Sequence, residues 1–82
     1  MTKFINQEIE VNAFYFAQGK NFKSFPRQIT YGNQRYWFKD GLQMLVQKGQ
    51  DVVRLFDMTD GQTSYKLRNE GSQWILVAMK TA

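Results

Sequence analysis

Three glycine-containing pairs interrupt the chain where runs of β-branched and aromatic residues end: Gly32-Asn33, Asp60-Gly61 and Glu70-Gly71. Glycine adopts the positive φ angle that a two-residue hairpin turn needs, so each pair predicts a reversal between two antiparallel strands. The sequence therefore predicts an all-β or β-dominant fold of about six short antiparallel strands. We expect a curved meander or a small, partly open barrel, because closure leaves no unpaired edge strand.

The Gly32-Asn33 turn predicts how its two strands pair, because a two-residue turn places the residues that flank it opposite each other. The face with more apolar residues is expected to turn toward the core, and it carries Ile29, Tyr31, Tyr36 and Phe38. The opposite face carries Gln28, Thr30, Arg35 and Trp37.

The two later turns, Asp60-Gly61 and Glu70-Gly71, predict the pairing of two further hairpins in the same way. They place Phe56 opposite Tyr65, and Leu67 opposite Trp74. The predicted centre of the core is the apolar face that results: Phe56, Met58, Tyr65, Leu67, Trp74 and Leu76.

Residues 40–49 show a different pattern, since Leu42, Leu45 and Val46 have the i, i+3, i+4 spacing of an amphipathic helix. Asp40 can cap such a helix at its N-terminus, and Gly49 can end it. The spacing therefore predicts one short helix near residues 42–48. An irregular continuation of the preceding strand is the alternative.

The chain of 82 residues predicts a single small β domain, residues 1–82. Its composition, 43% hydrophobic and 16% aromatic, supplies a core and excludes disorder as the main state. The first strand is predicted over residues 8–16 and a loop over residues 17–24. The pattern leaves the order of residues 1–7 open and assigns residues 80–82 to a tail.

Histidine and cysteine are both absent, which removes the commonest general base and the thiol nucleophile. Zinc also prefers the nitrogen and sulfur ligands of these two residues. We therefore predict no enzymatic activity, no catalytic residue, no cofactor and no metal site. The acidic pair Glu8 and Glu10 is interpreted as a solvated strand face, and Asp60 as part of the Asp60-Gly61 turn.

The first ten residues lack the apolar segment of a signal peptide, and the longest apolar run, residues 74–79, is too short for a membrane helix. The lack of cysteine gives no indication of an oxidising compartment. We therefore expect a cytoplasmic protein that does not bind a membrane.

The strands of the second half do not alternate cleanly between apolar and polar residues. Opposite the predicted core face they carry Val53, Leu55, Ile75 and Val77. A sheet solvated on one side alternates more cleanly, so these side chains are expected to be covered by the 42–46 helix, the first strand or a second subunit. The last case gives our first hypothesis: a small, non-catalytic binding module that contacts an unknown protein partner, or forms a homo-oligomer, through this apolar outer face.

Residues 20–39 combine basic and aromatic side chains and contain no acid. The chain as a whole has 11 Lys and Arg against 7 Asp and Glu, a net charge of +4. Basic side chains follow a phosphate backbone, and aromatic rings stack on unpaired bases. The alternative hypothesis is therefore nucleic-acid or other polyanion binding through this segment. Its candidate residues are Lys20, Lys23, Arg27, Arg35, Trp37 and Lys39.

The central hairpin has the pattern Pro26-x-x-Ile29-x-Tyr31-Gly32-x-x-x-Tyr36-x-Phe38, and Gln73-Trp74-x-Leu76 follows near the end. This pattern resembles a group of small, uncharacterised bacterial β-rich domains. The resemblance covers the layout of residues 8–78. It implies a β-rich fold, and it implies no activity and no functional residue.

Overall fold

The computed structural model describes residues 1–17 and 23–81, which form seven strands in one sheet. All pairs of neighbouring strands are antiparallel. The predicted all-β, antiparallel, curved architecture is therefore confirmed. The strands are β1 (Thr2–Ala17), β2 (Lys23–Tyr31), β3 (Gln34–Trp37), β4 (Asp40–Lys48), β5 (Asp51–Thr59), β6 (Thr63–Glu70) and β7 (Gln73–Thr81).

Strands β3 and β4 lie at opposite edges of the sheet, although only Phe38 and Lys39 separate them in the chain. The strand order is β3-β2-β1-β7-β6-β5-β4. The Phe38 N–H donates to the Arg27 carbonyl of β2 at 2.9 Å, and the Lys39 N–H donates to the Thr59 carbonyl of β5 at 2.8 Å. The sheet must therefore curve until its two edges meet at this link.

The antiparallel order also makes β3 and β4 run in the same direction, because an even number of reversals separates them. They are the two halves of one bent strand, whose first half pairs with β2 and whose second half pairs with β5. The structure has seven strands where the sequence predicts about six, because residues 42–48 are predicted as a helix and form β4 instead.

The concave face of the sheet encloses the core, and the opposite face is called the outer face below. The cluster of buried residues contains the predicted centre except Trp74, with Phe56, Leu67 and Leu76 fully buried. Phe38 from the β3–β4 link joins it, and its ring centroid lies 5.0 Å from that of Tyr65. The other buried members are Ile9, Ile29, Met58 and Tyr65, and Trp74 packs against them half-buried.

The Gly32-Asn33 turn lies where predicted, with positive φ at both residues, and Ile29 pairs with Tyr36 as expected. The other two predicted registers are wrong by two residues. Phe56 pairs with Leu67, and Leu67 pairs with Leu76, because these turns lie one residue later than predicted. A displacement of two residues leaves each side chain on its predicted face.

The Asp60 carboxylate explains the position of the turn between β5 and β6. Its Oδ1 accepts hydrogen bonds from the N–H groups of Gln62 and Thr63, at 2.9 and 2.8 Å. Its Oδ2 accepts a third from the Tyr65 hydroxyl at 3.0 Å. Asp60 therefore precedes the two central turn residues and caps them, instead of being one of them.

The predicted helix near residues 42–48 is wrong, because these residues belong to β4 and pair with β5 along the whole strand. Gly49 has a φ of 60° in the two-residue turn between Lys48 and Asp51, which suits a tight hairpin. A short apolar run is compatible with a helix or a strand, and here the pairing with β5 decides between them.

The two ends of the described chain also belong to the sheet. β1 begins at Thr2, which pairs with Lys80 of β7, and Thr63 pairs with Thr81. Residues 2–7 are therefore part of a strand, and residues 80–81 continue β7 instead of forming a tail. Ala82 and the central part of the predicted 17–24 loop lie outside the described residues.

The Asp60 cap predicts how stability depends on pH. The hydrogen bond from the Thr63 N–H contributes most to holding the pKa of the Asp60 carboxyl below its ordinary value of 3.8. A depressed pKa stabilises the fold above the ordinary value, and this contribution is lost as the pH falls through the pKa of the folded state. Asp60→Asn should therefore lower the Tm at neutral pH and reduce the fall in Tm between about pH 5 and 2.

Thermal unfolding of the original chain and of Asp60→Asn across that pH range tests this prediction. Asp51→Asn, at an exposed aspartate beside another turn, is the matched control. Parallel Tm curves for the original chain and Asp60→Asn would contradict the role given to the Asp60 cap.

Candidate functional site

Strand β4 exposes four large apolar side chains at one edge of the sheet. Leu42 is 71% exposed, Leu45 66%, Met44 49% and Val46 38%. β4 is the last strand in the sheet order, and within the described residues it pairs only with β5. These four residues are called the apolar edge below. An edge strand leaves backbone groups open on one side, and exposed apolar side chains along it favour contact with another chain.

The backbone of β4 is also available for pairing on its outer side. The Asp60 N–H donates to the Thr63 carbonyl, so alternate residues of β5 bond to β6 and the residues between them bond to β4. In β4 the bonded partners are the even-numbered residues, which include Leu42, Met44 and Val46. Among the described residues, the N–H and C=O groups of this strand that do not face β5 therefore belong to Gly41, Gln43, Leu45 and Gln47.

A hydrogen bond at Gly41 agrees with this alternation. The Gly41 N–H donates to the Asp40 carboxylate at 2.8 Å, as an amide that does not face β5 can. The absence of a side chain at Gly41 also has a packing role, since a Cβ there would overlap the Met58 thioether. Met58 therefore fills the core beneath the start of β4, and the strand can approach it closely.

The predicted protein-interface residues are less exposed than β4. Arg68 lies between Leu55 and Ile75 in the sheet, and all three are half-buried. Long basic side chains commonly cover apolar neighbours with their aliphatic part, which accounts for the broken alternation here. The Arg68 Nε is buried without a hydrogen-bond partner in the described part of the chain.

The remaining two predicted interface residues are placed differently. Val53 is only 5% exposed, and it pairs with Val46 of the apolar edge. Val77 is half-buried at an irregularity of β7, where the pairing with β6 passes directly from Ala78 to Leu76. Residues 42–46 do not cover this face, because they extend the same sheet sideways.

The sequence pattern does not predict the apolar edge, because the spacing of Leu42, Leu45 and Val46 predicts a helix. One signal in the sequence indicates a strand instead. The glycine in Lys48-Gly49-Gln50-Asp51 suits a two-residue turn that joins two apolar runs of similar length. With that turn recognised, the segment becomes one arm of a hairpin.

A second surface contains part of the predicted polyanion site. The Arg27 guanidinium lies between two aromatic rings, 5.2 Å from the Tyr15 centroid and 5.4 Å from the Trp37 centroid. Tyr15 and Trp37 are both exposed, Trp37 by 53%. The Tyr15 hydroxyl donates to the Phe38 carbonyl at 3.0 Å, which fixes one ring of this Arg27 sandwich.

An irregularity in β2 explains how Arg27 reaches this position. Ala13 of β1 pairs with Gln28, and the next residue, Phe14, pairs with Pro26, so Arg27 is the extra residue of a β-bulge. A bulge redirects the side chain of its extra residue, and it accommodates the neighbouring proline, which has no N–H to donate.

The other predicted basic residues are not all brought together. Arg35 is exposed on β3 and pairs with Thr30. The Lys39 side chain extends to the Gly61 turn. Its Nζ lies 3.6 Å from the point that a Cβ on Gly61 would occupy. Lys20 lies outside the described residues. So does the side chain of Lys23, the first residue of β2.

Gln28 is the buried neighbour of the Arg27 sandwich. It pairs with Trp37 across β2 and β3, and its side chain is only 6% exposed. Its Nε2 has no hydrogen-bond partner within the described residues. The hairpin pattern predicts Gln28 on the polar outer face and indicates no functional role for it.

The acidic side chains do not form a metal-binding cluster in the described part of the chain. The Gln73 amide donates to Glu8 at 2.9 Å. Among residues 1–17 and 23–81, no three His, Cys, Asp or Glu side chains lie close enough to hold a metal ion. The same residues include no helix long and apolar enough to cross a membrane.

No protein family, curated protein or solved structure matches this chain. The apolar edge and the Arg27 sandwich are its two candidate functional surfaces.

Proposed function

We propose that the chain is a small, non-catalytic module that binds protein through the outer face of its sheet, with the apolar edge of β4 as the main contact. The observation that carries this proposal is the combination of exposed apolar side chains and unpaired backbone groups on one strand. The partner is a different protein or another copy of this chain. The expected compartment is the cytoplasm.

Natural proteins protect their edge strands in several ways. They commonly place proline, inward-pointing charges, bulges or lysines there, because an open edge pairs readily with another chain. β4 pairs with β5 without a bulge, contains no proline, and has its one lysine at the last position, Lys48. Its edge therefore favours pairing, and the unpaired groups allow a partner to extend the sheet.

The apolar edge continues onto less exposed parts of the outer face. Met44 pairs with Leu55, and Leu55 is followed across the sheet by Arg68 and Ile75. A partner that extends the sheet beside β4 can also contact these half-buried side chains. The predicted interface on β5 and β7 then forms the margin of the contact, and β4 forms its centre.

Photo-crosslinking tests this proposal in cells that naturally express the chain. A benzoyl-phenylalanine at the exposed Leu42 position should give an adduct of defined mass, because this side chain contacts the bound protein. The same amino acid at Gln34, which is exposed on the other edge strand, β3, is the matched control. The proposal is wrong if Leu42 gives no adduct beyond that of Gln34.

We propose polyanion binding as a second function, supported by the Arg27 sandwich. Trp37 presents an exposed ring beside a guanidinium, and Arg35 lies two residues before it on the same strand. This arrangement combines phosphate neutralisation with a surface for base stacking. The net charge of +4 adds a general attraction to nucleic acid.

Titration with a single-stranded oligonucleotide at low salt tests the second function. Trp37→Ala should weaken binding by about 1–3 kcal/mol if a base stacks on the ring. Arg35→Glu should weaken binding more than Arg54→Glu, which makes the same charge change at an exposed site on β5. Equal effects of the two arginine variants, or no binding at low salt, would exclude a specific site here.

A further inference from the structure

We propose that the protein bound by the apolar edge is a second copy of this chain, with two β4 strands pairing antiparallel around a two-fold axis at Met44. The two sheets then form one continuous sheet. This inference rests on the proposed function, and it specifies both the partner and the register of the contact. It depends on three observations about β4: its free backbone groups, its terminal charges and its apolar side chains.

The free backbone groups restrict the possible registers. Only the odd-numbered residues from Gly41 to Gln47 have N–H and C=O groups that point away from β5 in the described strand, so these residues must pair with the same set in the second copy. The two-fold axis must therefore pass through a residue and not between two residues. An axis at Met44 pairs Gly41 with Gln47 and Gln43 with Leu45, which uses the whole set.

The charges at the two ends of β4 select this register. Asp40 is the first residue of β4 and Lys48 is the last. With the axis at Met44, Asp40 of each chain lies opposite Lys48 of the other, so the contact contains two opposite-charge pairs. An axis at Gln43 places Asp40 opposite Val46 instead, and an axis at Leu45 places Lys48 opposite Leu42, so both registers lose these pairs.

The apolar side chains agree with the same register. On the outer face, Leu42 lies opposite Val46 of the second copy, and the two Met44 residues lie opposite each other. These are the non-hydrogen-bonded pairs of the new ladder, in which side chains approach most closely. On the other face, Leu45 lies opposite Gln43. Pairing therefore covers all four members of the apolar edge.

The symmetry of the contact follows from these pairs. In a two-fold interface the same surface serves both chains, so each contact must occur twice. β4 meets this requirement because its pattern of acid, apolar residues and base is complementary to itself when reversed. A different protein would need a separate match to each of these positions.

Charge-reversed variants test the register by sedimentation at about 0.15 M salt, where long-range repulsion between two positive chains is screened. The original chain should dimerise as its concentration rises. Asp40→Lys and Lys48→Asp should each weaken self-association on the order of tenfold, because each places like charges opposite each other twice. Both residues are exposed, so the variants should keep the fold, which circular dichroism checks.

An equimolar mixture of the two variants is the decisive arm. In a mixed dimer, the Asp40→Lys chain carries lysine at both ends of β4, and the Lys48→Asp chain carries aspartate at both ends. Each lysine then faces an aspartate, so the mixture should associate as tightly as the original chain. Lys80→Asp, which changes an exposed lysine on β7, is the control and should not rescue Asp40→Lys. Failure of the mixture to associate would overturn the Met44 register.

Further outcomes separate this inference from the proposed function. A chain that stays monomeric up to about 1 mM, with a Leu42 adduct of a mass other than twice 9.7 kDa, would overturn self-pairing and leave protein binding intact. A monomer that gives no Leu42 adduct would overturn both. An adduct of twice the chain mass, together with rescue in the mixture, supports both.

Discussion

The short link between β3 and β4 is the constraint on which the rest of this structure depends. Phe38 and Lys39 must connect the two edges of the sheet, and their N–H groups donate to β2 on one side and β5 on the other. The sheet therefore curves around its core, into which Phe38 is inserted. Before this link, β3 pairs with β2. After Lys39 the chain leaves β2 and continues as β4, which pairs with β5. The unpaired edge of β4 is a direct consequence of this path.

Much of the fold could be predicted because core residues and turn residues gave consistent signals. The central hairpin was predicted in the correct register, since its two turn residues, Gly32 and Asn33, both accept positive φ. The register of the β5–β6 hairpin depended on Asp60, whose side chain can cap a turn or lie within it. The dipeptide alone does not distinguish these cases, whereas the hydrogen bonds to Gln62 and Thr63 do.

The candidate sites were harder to predict, because each depends on a local irregularity or on tertiary pairing. Arg27 approaches Trp37 only because a bulge in β2 makes it an extra residue, and sequence spacing does not report a bulge. The apolar edge requires β4 to be a strand, although Leu42, Leu45 and Val46 also fit a helix. In both cases contacts with a distant strand decide the local conformation.

Amide hydrogen exchange across β4, measured in dilute and in concentrated solution, tests the central claim most directly. In dilute solution we expect slow exchange at Leu42, Met44 and Val46, which bond to β5, and fast exchange at Gln43 and Leu45. At high concentration Gln43 and Leu45 should also become slow. Slow exchange at Gln43 and Leu45 at every concentration would contradict the open edge of β4, and so would fast exchange at all five residues.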